Sequence, residues 1–188
     1  MPLLAVVSRL VEQKGFDLVA HVLDELLQMD LQLAVLGAGD AVYEQMFAGA
    51  AARFPDKCAV RIGFDEALAR RMYAAADLFL MPSRFEPCGL GQLLAMRYMA
   101  VPVVRETGGL KDTVIPYNEF TGEGTGIGFA NYNAHELLDA VRKGLRLYAD
   151  RAAWERLAGN IAAVDFGWER SAEAYLELYR QVAAPRPV

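Results

Sequence analysis

Short apolar segments alternate with longer amphipathic segments along most of the chain. The short segments are typical of buried strands, and the longer ones repeat apolar residues at helical spacing, as Phe16, Val19 and Leu23 do. We predict strands at residues 3–8, 31–36, 59–62, 77–82 and 101–104, with a possible sixth at 126–130. We predict helices at residues 16–29, 42–53, 65–76, 90–100 and 134–148, with N-caps at Asp65 and Asn133.

Strands that alternate with helices predict βαβ units and a parallel sheet covered by helices on both faces. The expected fold class is therefore α/β, a Rossmann-like three-layer domain with about six strands that occupies residues 1–165. Beyond residue 150 the pattern is entirely helical, with segments at 151–163 and 171–182. Two prolines near the end indicate a frayed tail at 184–188, and glycine at every second position of 122–128 predicts a mobile loop.

Composition and charge exclude several classes of protein. The 188 residues are 54% hydrophobic, which is too apolar for a disordered chain, and no apolar run approaches the ~20 residues of a membrane span. A net charge of −5 argues against nucleic acid or an anionic membrane as a partner. The two cysteines, Cys58 and Cys88, lack metal-ligand spacing, and no secretory signal is visible, so we expect a cytoplasmic protein.

The residues directly after each strand, here called the strand exits, carry the candidate chemistry. Open parallel sheets bind ligands just beyond the carboxyl ends of their strands. The exits at 8–15, 37–40, 63–65, 83–89 and 105–109 are all rich in glycine or charge. Arg9 and Lys14 at the first exit could hold a phosphate, the arginine through two parallel hydrogen bonds and the lysine as a point charge. A solvated surface pair is the alternative, and the position at a strand exit favours the phosphate.

Glycines at two further exits would let a ligand approach the backbone. Gly37 and Gly39 resemble a dinucleotide-binding turn, but Val42 replaces the third glycine, so a tight strand-to-helix turn is an equally good interpretation. Gly89 and Gly91 flank Leu90 at the predicted start of a helix, where free N–H groups could bind an anion.

Three other exit residues each have two interpretations. Glu86 would repel a phosphate, so it suits sugar hydroxyls, or else it caps the following helix. Cys88 could be a reactive thiol, although a small packed residue is the better interpretation. Phe64 could stack on a nucleobase, but core packing is the commoner role of an isolated phenylalanine. Together the exits predict a crevice for a phosphate-bearing ligand with a hydroxyl-rich portion, such as a nucleotide-sugar.

Several of these segments occur together, and in the same order, in glycosyltransferase family 5. The segments are residues 7–10 (VSRL), 13–15 (QKG), 36–40 (LGAGD), 82–90 (PSRFEPCGL) and 107–114 (TGGLKDTV). From about Leu3 to Arg180 the chain resembles the bacterial glycogen synthases and plant starch synthases of that family. The resemblance implies a GT-B fold, in which two Rossmann-like domains face each other across a cleft. This chain matches only the carboxyl-terminal, donor-binding domain.

The resemblance assigns roles to individual positions. Arg9 and Lys14 match the phosphate-binding cations of the family, and Glu86 matches the carboxylate that engages the transferred glucose. The expected donor-binding residues are Gly37, Gly39, Asp40, Phe64, Cys88, Gly89, Leu90, Gly91, Thr107 and Gly108. Phe64 falls where the family has an aromatic residue that stacks on adenine.

Two positions depart from related patterns. Gly91 stands where the family usually has threonine, which removes a hydroxyl near the diphosphate. Leu94 stands where a related group of glycosyltransferases has a second glutamate, and the absence of that glutamate favours family 5.

The resemblance implies the donor-binding half of a retaining, metal-independent glucosyltransferase that uses ADP-glucose. Its acceptor would be an α-1,4-glucan, bound through an amino-terminal domain that the chain lacks, and residues 166–183 would form the helix that crosses to that domain. One alternative is a nucleotide-sugar-binding module that has no turnover by itself. Another is a domain of a different GT-B protein, such as a sugar-nucleotide epimerase or a phosphorylase. The choice between ADP and UDP stays open, because stacking on Phe64 tolerates either base.

Overall fold

One six-stranded parallel sheet organises the chain, which a computed structural model describes over residues 1–183. The strands are β1 (Leu3–Val7), β2 (Gln32–Gly37), β3 (Cys58–Ile62), β4 (Leu78–Met81), β5 (Val101–Arg105) and β6 (Ile127–Phe129). They lie in the order β3-β2-β1-β4-β5-β6, and every pairing is parallel. The predicted α/β class and the possible sixth strand are both confirmed.

Helices cover both faces of the sheet. They are α1 (Phe16–Gln28), α2 (Ala41–Arg53), α3 (Glu66–Ala75), α4 (Gly91–Arg97), α5 (Gly108–Thr113), α6 (Ala134–Ala149), α7 (Arg151–Ala162) and α8 (Trp168–Ala183). One apolar cluster joins the sheet to α1, α2, α6 and α7, and a second joins its other face to α3 and α4. The three-layer arrangement expected from the sequence is therefore present.

The structure corrects some predicted boundaries. Two short helices were not predicted, α5 and a 3₁₀ helix over Glu12–Lys14. Three residues give no periodic pattern, and the two glycines at the start of α5 disfavour a helix. Helix α4 ends at Arg97 instead of residue 100, and α8 begins at Trp168 instead of residue 171. The predicted frayed tail at 184–188 lies outside the described residues.

The glycine-rich segment that we expected to be a mobile loop is held by a side chain. The Asn160 amide donates to the carbonyl oxygens of Gly122 and Gly124, over 2.8 Å and 2.9 Å. Both glycines are buried, and the last residues of the predicted loop form the start of β6. The prediction was wrong because alternating glycines permit tight burial as well as motion.

Helix α8 differs from the other helices in its exposure. Apolar side chains recur along it at helical spacing, yet Trp168 is 85% exposed, Tyr175 60% and Tyr179 63%. Within residues 1–183, nothing covers this apolar face. Nor does any helix in that range combine the length and apolarity needed to cross a membrane.

Backbone strain at Met99 yields a prediction about stability. Met99 follows α4 with φ of 68°, a left-handed conformation that costs a non-glycine residue about 1–2 kcal/mol. Its side chain is 43% exposed, so little packing is lost when it is removed. We expect Met99→Gly to raise the free energy of unfolding by about 1 kcal/mol in urea denaturation. Met99→Ala is the control, because it removes the side chain and keeps the strain; equal stability of the two variants would contradict the explanation.

Candidate active site

The order of strands in the sheet reverses between β1 and β4, and the candidate site lies at their carboxyl ends. From β1 the chain proceeds outward through β2 to β3, whereas β4 lies on the other side of β1 and continues to β5 and β6. Such a reversal leaves a crevice because the connections diverge to opposite sides of the sheet. The first, fourth and fifth strand exits meet there.

An ion pair between two predicted site residues joins the first and fourth strand exits. Lys14 Nζ lies 2.5 Å from Glu86 Oε2, although the residues are 72 positions apart. The Ser83 hydroxyl donates to the same carboxylate oxygen over 3.1 Å, and Glu86 is only 6% exposed. The alternative in which Glu86 caps the following helix is therefore wrong. Lys14 is likewise not simply a solvated surface residue.

Backbone contacts hold the Lys14 segment against the segment that follows β4. Gly15 has φ of 77°, and a Cβ at this position would overlap with the carbonyl oxygen of Pro82. The Arg84 N–H donates to the Gln13 carbonyl oxygen over 2.9 Å. Only glycine at position 15 permits this approach, so the ion pair depends on the backbone as well as on its two charges.

A cavity of about 330 Å³ lies at the ends of β1, β2 and β3. Arg9 and Phe64 lie on its lining. The Arg9 side chain is exposed and makes no hydrogen bond or ion pair within the described residues. Phe64 is 94% exposed, so the core-packing interpretation of this residue is wrong. The cavity thus combines a free guanidinium with an aromatic ring that is available for stacking.

Two glycines lie at the end of β2, and the first of them, Gly37, lines this cavity. A Cβ at Gly37 would overlap with the Ser8 carbonyl oxygen, so glycine is required for packing between β1 and β2. The Gly39 N–H donates to Glu44 Oε1 over 2.8 Å and is therefore not free for a ligand. Asp40 is exposed and precedes α2. Gly37 ends β2 and lines the cavity, and the chain then turns tightly into α2, so a ligand-binding role for these glycines stays a prediction.

The start of α5 is in close backbone contact with the segment that contains Glu86. Thr107 precedes α5, and Gly108 has φ of 45° with no room for a Cβ beside the Glu86 carbonyl oxygen. The Gly109 N–H donates to that same oxygen over 3.0 Å. The fifth strand exit therefore supports the loop that carries the ion pair.

The residues from Cys88 to Gly91 form the loop that enters α4. Gly89 has φ of 75°, and the N–H groups of Gly89, Leu90 and Gly91 donate no hydrogen bond within residues 1–183. Cys88 is exposed, which corrects the expectation of a small packed residue, because its side chain points away from the core. A Cβ at Gly91 would lie 3.2 Å from Met81 Sδ, the flexible part of that side chain.

Sequence reasoning missed side chains that hold the site without facing the crevice. Gln92 is completely buried within α4 and bonds to the Cys88–Gly89 backbone. Tyr132 donates to Asp17 and lies beneath the guanidinium groups of Arg84 and Arg105 at 4.8 Å and 5.5 Å from its ring centroid. Burial and the neighbouring Asp17 raise the pKa of Tyr132. A polar residue in the first turn of a helix whose next four residues are apolar was the signal for Gln92.

Comparison with known proteins identifies the family of this chain. The glycosyl transferases group 1 family model matches residues 1–160. A glycogen synthase from Exiguobacterium sibiricum is 54% identical over 97% of this chain, and one from Clostridioides difficile is 52% identical over 97%. The chain matches the C-terminal part of these relatives and spans 38% of their length.

Solved structures of glycosyltransferases share the fold. The catalytic domain of starch synthase IV from Arabidopsis thaliana, bound to ADP and acarbose, superposes with a TM-score of 0.83 and 36% identity over 96% of this chain and 38% of that chain. Sucrose-phosphate synthase from Thermosynechococcus elongatus has a TM-score of 0.70 and 25% identity over 97% of this chain and 46% of its own. With a family model that covers most of its length and relatives that are more than half identical to it, the chain belongs to the glycosyl transferases group 1 family.

Proposed function

We propose that this chain is the donor-binding part of a retaining glucosyltransferase that transfers glucose from ADP-glucose to the non-reducing end of an α-1,4-glucan. The observation that carries the proposal is the largely buried Lys14–Glu86 pair at the reversal of strand order, at the same sheet edge as the cavity that Arg9 lines. The names of relatives that are more than half identical, glycogen synthases, support the same reaction.

Different residues bind the adenine, the diphosphate and the glucose of the donor. Adenine stacks on Phe64 in the cavity, and the diphosphate lies between Arg9, Lys14 and the free N–H groups of the loop at 89–91. Glucose extends towards Glu86, with Thr107 and Gly108 beside it. The polar assignments are chemically complementary. The Glu86 carboxylate accepts hydrogen bonds from the sugar hydroxyls, and the cations bind the negatively charged phosphates.

Cleavage of the sugar–phosphate bond leaves negative charge on the diphosphate and positive charge at the anomeric carbon. Arg9, Lys14 and the loop amides stabilise the first charge, and Glu86 stabilises the second. The ammonium group has three N–H donors, and Glu86 uses one of them, so two are free for phosphate oxygens. Lys14 can therefore hold the carboxylate in place and bind the leaving group at once.

The remainder of the enzyme supplies the acceptor site. Because the chain spans 38% of its relatives, the glucan binds to an amino-terminal domain, and the exposed apolar face of α8 packs against that domain. The same coverage favours a second candidate function for the chain alone, the binding of ADP and ADP-glucose without turnover. Both functions suit a reducing cytoplasm, since Cys58 and Cys88 are free thiols.

Alkylation of Cys88 tests where the nucleotide binds. Burial raises the pKa of Cys58 to about 11, so that thiol is uncharged as well as inaccessible at pH 8, whereas Cys88 is exposed beside the proposed diphosphate site. We expect iodoacetamide to modify Cys88 and spare Cys58, and saturating ADP to slow the reaction at least severalfold, as measured by mass spectrometry. Cys88→Ser is the control for labelling at other positions. An alkylation rate that ADP leaves unchanged would contradict the proposed site.

A further inference from the structure

The Gln92 side chain makes an unusual set of contacts for a fully buried amide. Its Nε2 donates to the carbonyl oxygens of Cys88 and Gly89, over 3.2 Å and 3.0 Å, and to Thr113 Oγ1 over 3.1 Å. Its Oε1 is buried and has no hydrogen-bond partner among the described residues. A buried oxygen without a hydrogen-bond partner lowers the free energy of unfolding, so the presence of a glutamine at this position needs an explanation.

The contacts themselves determine which way the amide faces. The Thr113 hydroxyl donates to the Gly109 carbonyl oxygen over 2.6 Å, which leaves the lone pairs of Thr113 Oγ1 as the acceptor for Gln92. The other two partners of Gln92 are carbonyl oxygens, so all three accept from Nε2, whose two N–H groups are shared among them. The Oε1 atom is thereby turned towards Gly89, where a Cβ would lie only 2.5 Å from it.

Through these hydrogen bonds, Gln92 connects the loop before α4 to Thr113, the last residue of α5. The near end of α5 is already joined to the Glu86 segment through the Gly109 N–H. With the Gln92–Thr113 bond, the two segments are joined at both ends of α5. The Cys88–Gly89 backbone is thus fixed with its carbonyl groups turned inward to Gln92, while the N–H groups of Gly89, Leu90 and Gly91 stay free of partners within residues 1–183.

We propose that Gln92 is a positioning residue that holds these N–H groups in the arrangement required by the donor diphosphate. This inference rests on the proposed function, since it gives the loop amides a phosphate to bind. Gln92 never touches the ligand; it acts through the backbone of Cys88 and Gly89. When the bonds to Gln92 are absent, the ligand itself must order the loop, and part of its binding free energy is lost in doing so.

Gln92→Met is the variant that tests the proposal. Methionine has a similar length, suits a buried apolar site and removes both N–H donors together with the unpaired oxygen. Met96→Leu is the matched control, because Met96 is buried in the same helix, is also replaced at nearly constant volume, and takes no part in the hydrogen bonds of the loop. Thr113→Val removes the other end of the Gln92–Thr113 bond.

The measurement compares two ligands by calorimetric titration of the 188-residue chain. ADP carries the diphosphate and adenosine does not. We expect Gln92→Met to weaken ADP binding about tenfold, equivalent to about 1.4 kcal/mol, and to leave adenosine binding unchanged. Thr113→Val should weaken ADP binding by a smaller factor, and Met96→Leu should change neither. A loss shared equally by both ligands indicates only a damaged fold and overturns the proposal, as does unchanged ADP binding.

Amide hydrogen exchange separates this proposal from the proposed function. Exchange at Leu94, whose N–H is bonded to the Leu90 carbonyl oxygen of this loop, should be faster in Gln92→Met than in the unsubstituted chain, with no ligand present. If the unsubstituted chain binds no ADP, the proposed function fails. In that case faster exchange still supports Gln92 as the residue that orders the loop, and unchanged exchange overturns that role as well.

Discussion

Replacing Lys14 with methionine is expected to lower the free energy of unfolding by about 3 kcal/mol, measured by urea denaturation at pH 7. The substitution removes the 2.5 Å ion pair and leaves the Glu86 carboxylate with the Ser83 hydroxyl as its remaining side-chain partner. The Lys14 side chain is 18% exposed and that of Glu86 8%, so water compensates little for the lost charge. A buried charge without its partner costs more than the pair itself contributes.

Two further variants identify the cause of this loss. Glu86→Gln combined with Lys14→Met removes both charges and should recover most of the lost stability. Arg53→Met breaks an ion pair with Asp24 in which both side chains are more than half exposed, so it should have a far smaller effect. If Lys14→Met costs no more than Arg53→Met, Lys14 and Glu86 do not form a buried pair.

Replacing Gly15 with alanine should destabilise the chain by about 3 kcal/mol. The left-handed backbone at this position costs alanine about 1 kcal/mol or more, and overlap with the rigid Pro82 carbonyl adds about 1–3 kcal/mol. The β1 and β4 exits must then separate, which moves Lys14 away from Glu86. Urea denaturation measures the loss of stability, and titration with ADP should show weaker binding by the folded variant.

Gly159→Ala is the matched control for the Gly15 variant. Gly159 lies in α7, has open space where the alanine methyl group would stand and needs no left-handed backbone. Alanine there should raise the free energy of unfolding by up to about 1 kcal/mol, since it favours the helix. The two substitutions should thus change the free energy of unfolding in opposite directions. A Gly15→Ala chain as stable as the unsubstituted protein would show that the two strand exits need no close contact.

The sequence allowed the location of the site to be predicted, because the topology of a parallel sheet brings its strand exits together. Lys14 and Glu86 were selected separately by their positions after β1 and β4, and the structure joins them. The exposure of Phe64 and Cys88 was harder to predict. An apolar side chain is usually buried, and only the packing of β3, α3 and α4 leaves these two outside the core.

The supporting residues could not be predicted because their partners are remote in sequence. Gln92 bonds to Thr113, 21 positions later, and α5 is held by the backbone of the Glu86 segment. Local propensity gives no signal for a six-residue helix that begins with two glycines. Recognition of the TGGLKDTV segment indicated a binding role for Thr107 and Gly108 but not the helix that they begin.

Calorimetric titration with ADP, compared between the unsubstituted chain and Arg9→Ala, tests the central claim most directly. Arg9 is exposed and has no side-chain partner within the described residues, so its replacement should leave the fold intact, and circular dichroism provides that control. We expect one ADP to bind per chain and Arg9→Ala to weaken binding about tenfold, as loss of a charge-assisted phosphate contact predicts. A chain that binds no ADP, or that binds it equally well without Arg9, would contradict the assignment of this crevice to a nucleoside diphosphate sugar.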